Sequence, residues 1–187
     1  MVKKLLFVVL CFGVLSCSKK TETVNVDTQG TYFSIIDFTK DQWDTYKGNA
    51  FPMRKKVSLN GEIDSTYTTA LDVDWASVLK VFFETDISDP KFLGKYRFST
   101  FNDNVTMTTS YYYEAEDDAL YTKTLQIMVD YYTDKVKSIY IEAQKKTRLG
   151  TKDVKLFYVP LDVISIQESE ATKTGQKKDL RIEYDFD

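Results

Sequence analysis

From Asn104 to the end of the chain, apolar and polar residues alternate with a period of two, and no helical pattern interrupts them. Val105, Met107 and Thr109 alternate with Thr106, Thr108 and Ser110, and the run continues through Tyr111, Tyr112, Tyr113 and Glu114. Leu125, Ile127 and Val129 alternate with Thr124, Gln126 and Met128. Tyr132-Thr133-Asp134-Lys135 reads as a turn, after which Val136, Ile139 and Ile141 resume the pattern. Residues 154–159 read as a strand apolar on both faces and ended by Pro160; residues 161–167 and then Leu180, Ile182, Tyr184 and Phe186 complete the set. Strands joined by turns this short can only pair antiparallel, because parallel pairing needs a long crossover. The pattern therefore predicts an antiparallel meander of about five or more strands in the C-terminal half.

The N-terminal half reads differently. Thr39-Lys40-Asp41-Gln42 has capping-box spacing, with Trp43 and Tyr46 on one face before Gly48. Pro52 to Gly61 fits either a short helix or a strand. Leu71, Trp75, Val78, Leu79 and Phe82 recur at spacings of three and four, which predicts an amphipathic helix over residues 68–84 capped by Asp64 or Ser65. The expected fold is α+β, the meander carrying one or more N-terminal helices on one face.

Residue types missing from the chain narrow its chemistry. It has no histidine, and its cysteines are Cys11 and Cys17 alone. Ordinary zinc and copper sites, Ser-His-Asp triads and Cys-His pairs all require what is missing. No cofactor motif is present, and no enzymatic activity is expected. The formal charge of −3 is well mixed along the chain, which argues against nucleic acid as a partner.

The first residues predict a location. Lys3 and Lys4 precede an apolar stretch from Leu5 to Leu15, too short for a spanning helix, and Ser18-Lys19-Lys20 turns polar at once. Val14-Leu15-Ser16-Cys17 resembles a lipobox, at which bacteria acylate the cysteine and cut before it. Residues 1–16 are thus expected to be a lipoprotein signal peptide, Cys17 the site of lipid attachment, residues 17–30 a flexible tether and residues 31–187 one globular domain. Removal of the leader, with Cys17 acylated, leaves no thiol for a disulfide. Ser18 resembles the residue of lipoproteins sent to the outer membrane, while Lys19 and Lys20 stand where surface-exported ones carry acids. The periplasmic face is expected.

Three clusters invite a functional reading. Asp72-Val73-Asp74 offers oxygen ligands to a hard cation, but acids at this position also suit the positive end of a helix, and no calcium-loop glycine or distal glutamate follows. Glu114-Ala115-Glu116-Asp117-Asp118 could meet a cation, or a glycosidic bond between paired carboxylates; hairpin charge runs are usually solvated. Aromatic residues make up 14% of the chain. Tyr111 and Tyr113 share one face of a strand, with Tyr131 and Tyr132 nearby in sequence; these four are the candidate ligand-binding residues, for sugar rings or a lipid chain. Tyrosines in strands also serve as plain packing. No metal site is expected.

A lipobox at Val14 to Cys17, a tether, an amphipathic helix and a tyrosine-rich meander together resemble the small lipoproteins of Bacteroidota. That resemblance implies a membrane-tethered envelope protein. Its expected role is a non-enzymatic binding or scaffold module for an envelope protein partner, docked on the open sheet face or on an edge strand such as residues 180–186. The alternative is a lipid- or glycan-binding module using the tyrosine face. The sheet-on-helix plan is also similar to half-barrel lipoprotein carriers, at the level of fold alone.

Overall fold

The computed structural model describes residues 32–186. The expected leader, Cys17 and the tether lie outside the described residues. The described chain is mostly β: a nine-stranded antiparallel sheet and two short helices. Helix α1 (Ile35–Tyr46) leads into the hairpin β1 (Pro52–Leu59) and β2 (Glu62–Thr69), and α2 (Trp75–Phe83) follows. A 3-10 turn at Pro90–Phe92 then opens the meander of β3 (Tyr96–Asp103), β4 (Thr108–Ala115), β5 (Thr122–Asp130), β6 (Val136–Lys146), β7 (Gly150–Val159), β8 (Val163–Thr172) and β9 (Lys177–Phe186). The order across the sheet is β2-β1-β9-β8-β7-β6-β5-β4-β3.

Several expectations for the N-terminal half are corrected. Pro52 to Gly61 resolves as strand and turn: Asn60 (φ 53°) and Gly61 (φ 92°) both take positive φ, the two-residue hairpin geometry that Asn-Gly favours. The hairpin draws Thr68 and Thr69 into β2, so α2 begins only at Trp75 and Leu71 is left 57% exposed. Asp64 and Ser65 sit on β2, and the cap of α2 is Asp74, whose carboxylate accepts from the Ser77 N–H (3.3 Å) and hydroxyl (2.6 Å). In α1 the cap is Ser34, not Thr39. Thr39 is buried in the helix, its hydroxyl donating to the Ile35 carbonyl at 2.7 Å. Residues 180–186 are no edge either, because β1 pairs along them from Leu59↔Leu180 to Met53↔Phe186. The true edges are β2 and β3.

One face of the sheet packs against both helices. On β7, Val154, Leu156 and Tyr158 point inward while Lys155 and Phe157 point out, so this strand alternates although its sequence reads as apolar on both sides. Ile139 and Ile141 of β6 and Ile164 and Ile166 of β8 extend the inner layer. Against it the helices set Ile35, Tyr46, Trp75, Leu79 and Phe82. Tyr46 packs on both Trp75 (centroids 4.9 Å, 20°) and Phe186 (5.2 Å, 26°), which also meet each other (6.2 Å, 19°), and the Trp75 indole N–H donates to the Ala70 carbonyl at 2.8 Å. The rings of Phe38 and Phe82 meet Tyr158 edge-on.

The hydroxyls inside this layer are satisfied in series. The Leu161 N–H donates to the Tyr46 oxygen (3.4 Å), Tyr46 and Tyr158 share a short hydrogen bond, and the Tyr158 hydroxyl donates to Gln42 Oε1 (3.1 Å). Among the described residues no buried side-chain polar atom lacks a partner, and no helix is long and apolar enough to cross a membrane.

Burial holds these phenols neutral. Tyr158 and Tyr46 are pushed above the ordinary tyrosine value of 10.0, and Tyr96 is pushed up to about 12, each mainly by desolvation. Above pH 10 the unfolded chain loses phenolic protons that the folded chain keeps, so stability falls as pH rises. From neutral pH the domain is expected to hold its stability up to about pH 10 and lose it steeply above. Urea melts taken across that range, with phenolate absorbance followed on the folded protein, check this. Normal titration of Tyr158 and Tyr96 in the folded state would contradict it.

Candidate functional site

The four tyrosines singled out from sequence form two separate pairs. Tyr111 and Tyr113 do share the inner face of β4, opposite Ile127 and Leu125. Tyr113 is only 9% exposed; its ring lies between Tyr32 (5.3 Å) and Phe98 (5.0 Å), and its hydroxyl is bonded by the Phe33 backbone. Tyr111 stacks on Phe98 at 6.1 Å and 17°. Tyr131 and Tyr132, 52% and 73% exposed, meet edge-to-face in the turn after β5. Tyr113 thus belongs to the core and has no free face for a ligand.

Neither acidic cluster gathers around a common point. Asp72 accepts from the Thr69 hydroxyl (2.8 Å), while Asp74 is bound to Ser77, whose hydrogen bonds hold its carboxyl below the usual range. Glu114 is claimed by Arg97 across the β3–β4 pair, and Asp117 Oδ1 accepts from the Ala119 N–H at 2.7 Å. Among the described residues no group of three or more acidic, histidine or cysteine side chains could hold a metal ion.

Three other features were not evident from sequence. The first is the edge strand β2, paired with β1 on one side only and exposed from Glu62 to Tyr67. Its register with β1 is unbroken over eight pairs, and it carries no proline, lysine or bulge of the kind that usually guards an edge. Ile63 (66% exposed) and Tyr67 (76%) stand on its outer face, with Glu62 and Asp64 on the other.

The second is a row across the outer sheet face, where Tyr112, Gln126, Tyr140 and Phe157 are opposite one another on β4 to β7. Strand parity alone sets Tyr112 on the face opposite Tyr111 and Tyr113; joining it to Tyr140 and Phe157 requires the register. The row is pinned: Gln126 Nε2 donates to the Tyr112 oxygen (2.9 Å), and Tyr140 donates to Glu142 (2.5 Å), which also holds the Lys155 ammonium at 3.0 Å. Burial raises the Tyr140 phenol above its ordinary value and the Glu142 bond reinforces that, so it remains a neutral donor.

The third is a cleft of about 640 Å³ where the C-terminus of α2, the β4–β5 loop and the end of β6 meet. Its lining includes Glu84, Asp118, Tyr121, Gln144, Lys145 and Lys146. Tyr121 is raised above the ordinary tyrosine value, first by desolvation and then by the Glu84 carboxylate. Behind it Lys152 bridges Glu168 (2.9 Å) and Glu170 (3.8 Å).

Replacing Tyr113 by Ala is expected to cost about 3 kcal/mol by leaving a core void, whereas Tyr132→Ala should change stability by less than about 0.5 kcal/mol. Urea unfolding of the two variants measures the contrast, and equal effects would contradict this placement.

No protein-family model matches the chain, and neither a curated protein nor a solved structure matches it.

Proposed function

We propose that the chain is a lipid-anchored protein of the cell envelope, held by Cys17 on the periplasmic face of the outer membrane, whose domain is a non-enzymatic binding or scaffold module for a protein partner. The partner adds a strand to β2. The observation that carries this reading is the open edge: eight residues in extended pairing with β1, their second row of backbone donors and acceptors unclaimed by any other strand. Strand addition satisfies such a row directly and draws specificity from alternate side chains. Here those are Ile63 and Tyr67 on one face and Glu62 and Asp64 on the other, so the matching strand is apolar on one side and basic on the other. Parallel, in-register pairing of two copies of β2 would oppose Glu62 to Glu62 and Asp64 to Asp64, which disfavours that form of self-pairing.

The anchor and the edge are tested together in the native host. Wild type should take up labelled palmitate and fractionate with membranes, and Cys17→Ala should do neither. A photo-crosslinking side chain at Ile63 or Tyr67 should capture one discrete envelope protein, and the same group at Gln167, on the outer face of β8, should not. A soluble, unlabelled wild type overturns the anchor; capture equal at all three positions overturns the role of β2.

A second reading rests on the outer row. Tyr112, Tyr140 and Phe157, interspersed with Gln126 and Glu142, resemble the mixture of flat rings and fixed polar groups that suits a sugar chain. In this reading Tyr140→Ala and Phe157→Ala each weaken polysaccharide binding by about tenfold. Affinity electrophoresis in gels cast with neutral glycans measures it, and unretarded wild type removes the reading.

A further inference from the structure

Charged side chains on the outer face of this sheet are largely paired. Arg54 meets Asp185 at 2.8 Å, Arg181 meets Glu183 at 2.6 Å and Lys155 meets Glu142 at 3.0 Å. The cleft at the end of β6 departs from that pattern. Glu84, Asp118, Lys145 and Lys146 line it, Lys145 on the inner face of β6 with Ala143 and Lys146 on the other, and among the described residues none of the four forms an ion pair. Opposite charges line one concavity without reaching each other.

From this arrangement we infer that the cleft binds a small zwitterion carrying an ammonium and a carboxylate, the chemistry of a short peptide with free termini. The ligand's ammonium faces Glu84 and Asp118, its carboxylate faces Lys145, the lysine on the helix-covered side of β6, and its aliphatic part lies on the half-buried ring of Tyr121. Charge complementarity selects this class. A purely anionic ligand would be driven against two carboxylates, and a purely cationic one against Lys145. The volume falls within the range of about 300–1,000 Å³ typical of small-ligand sites.

The walls are held in place before any ligand arrives. Asp117 folds the loop by accepting from the Ala119 N–H, and the Lys123 ammonium donates to the Asp118 carbonyl at 2.5 Å. The Gln144 N–H donates to the Tyr121 carbonyl (2.9 Å), tying the loop to β6. The Thr122 hydroxyl donates to the Thr85 carbonyl (2.9 Å), tying β5 to the end of α2 beside Glu84. A site built on anchored backbone loses little entropy on binding. None of its residues belongs to β2, so this inference stands apart from the strand-addition reading.

The test uses the full chain purified from host membranes in detergent, with tri-alanine as the probe and amide chemical shifts as the readout. Tri-alanine at millimolar concentration should shift the amides of residues 118–121 and 144–146. The double variant Lys145→Gln/Lys146→Gln and the double variant Glu84→Gln/Asp118→Asn should each weaken it by about tenfold or more. N-acetylated tri-alanine should bind more weakly to wild type, and its remaining affinity should depend on the lysine pair and be indifferent to the acidic pair. All four side chains are exposed, so both variants should melt as wild type does. Tri-alanine that shifts nothing in the cleft overturns the inference, as does binding unchanged in both variants. Glycerophosphoethanolamine binding there while tri-alanine does not would overturn the peptide assignment in favour of a phospholipid headgroup.

Discussion

Nine strands in one open sheet leave a wide inner face to be covered, and the chain covers it with helices of only 12 and 9 residues. Aliphatic side chains of ordinary size cannot bridge that area from two short helices. Large rings do so. Tyr46, Trp75, Phe82 and Tyr158 are each essentially inaccessible, and Tyr46 alone touches both Trp75 of α2 and Phe186 of the last strand. The stack therefore joins elements from the two ends of the described chain. Its polar atoms raise the stakes, because a buried phenol without a partner costs about 1–3 kcal/mol. The relay from Leu161 through Tyr46 and Tyr158 to Gln42 removes that cost at every step and fixes where α1 sits over β7.

Filling the inner face in this way decides what the tyrosines can do. An acyl chain beneath the sheet would need the volume that Trp75, Phe82 and Tyr158 occupy. The high aromatic content is thus mainly a consequence of architecture, a few short helices over a broad sheet, and binding is left to the margins of that cover. Those margins are the outer face, the edges and the cleft beyond the end of α2. On the outer face the ion pairs Arg54–Asp185, Lys56–Glu183 and Lys155–Glu142 are exposed and each contributes at most about 1 kcal/mol. Their value is in keeping a large sheet hydrated and in favouring one cross-strand register over its neighbours.

Much of the meander was legible because alternation carries its own geometry. Once Leu125, Ile127 and Val129 face the core, the strand, its partners and its antiparallel sense follow. Two kinds of information were not local. Asn60-Gly61 marks a hairpin, but Met53 and Val57 also fit a helical spacing, and pairing with β9, more than a hundred residues on, decides for the strand. β3 escaped notice because Arg97, Ser99 and Asp103 dilute its apolar side chains, and its partner β4 supplies the order that its own residues leave open. The same pairing with β1 that makes residues 53–59 a strand removes residues 180–186 from the edge. Candidate sites were less legible still. Tyr111 and Tyr113 sit on one face as parity demands, yet parity does not say which face the helices cover.

The cleft shows why function in such a fold gathers where regular structure stops. Inside the sheet every charged residue has neighbours at about 5 Å on adjacent strands, so an opposite charge is usually in reach and is taken. At the end of β6 the pairing with β5 has stopped and the pairing with β7 sets Lys145 opposite Lys152, a like charge, while the facing wall of the cleft is a loop and a helix terminus whose spacing no ladder sets. Glu84 and Asp118 are held by the backbone bonds that fold those segments, not by the lysines opposite. Charges fixed by separate constraints keep their fields directed into the gap between them. The rigid sheet supplies precision on one wall, and the irregular elements supply the separation that leaves room for a ligand.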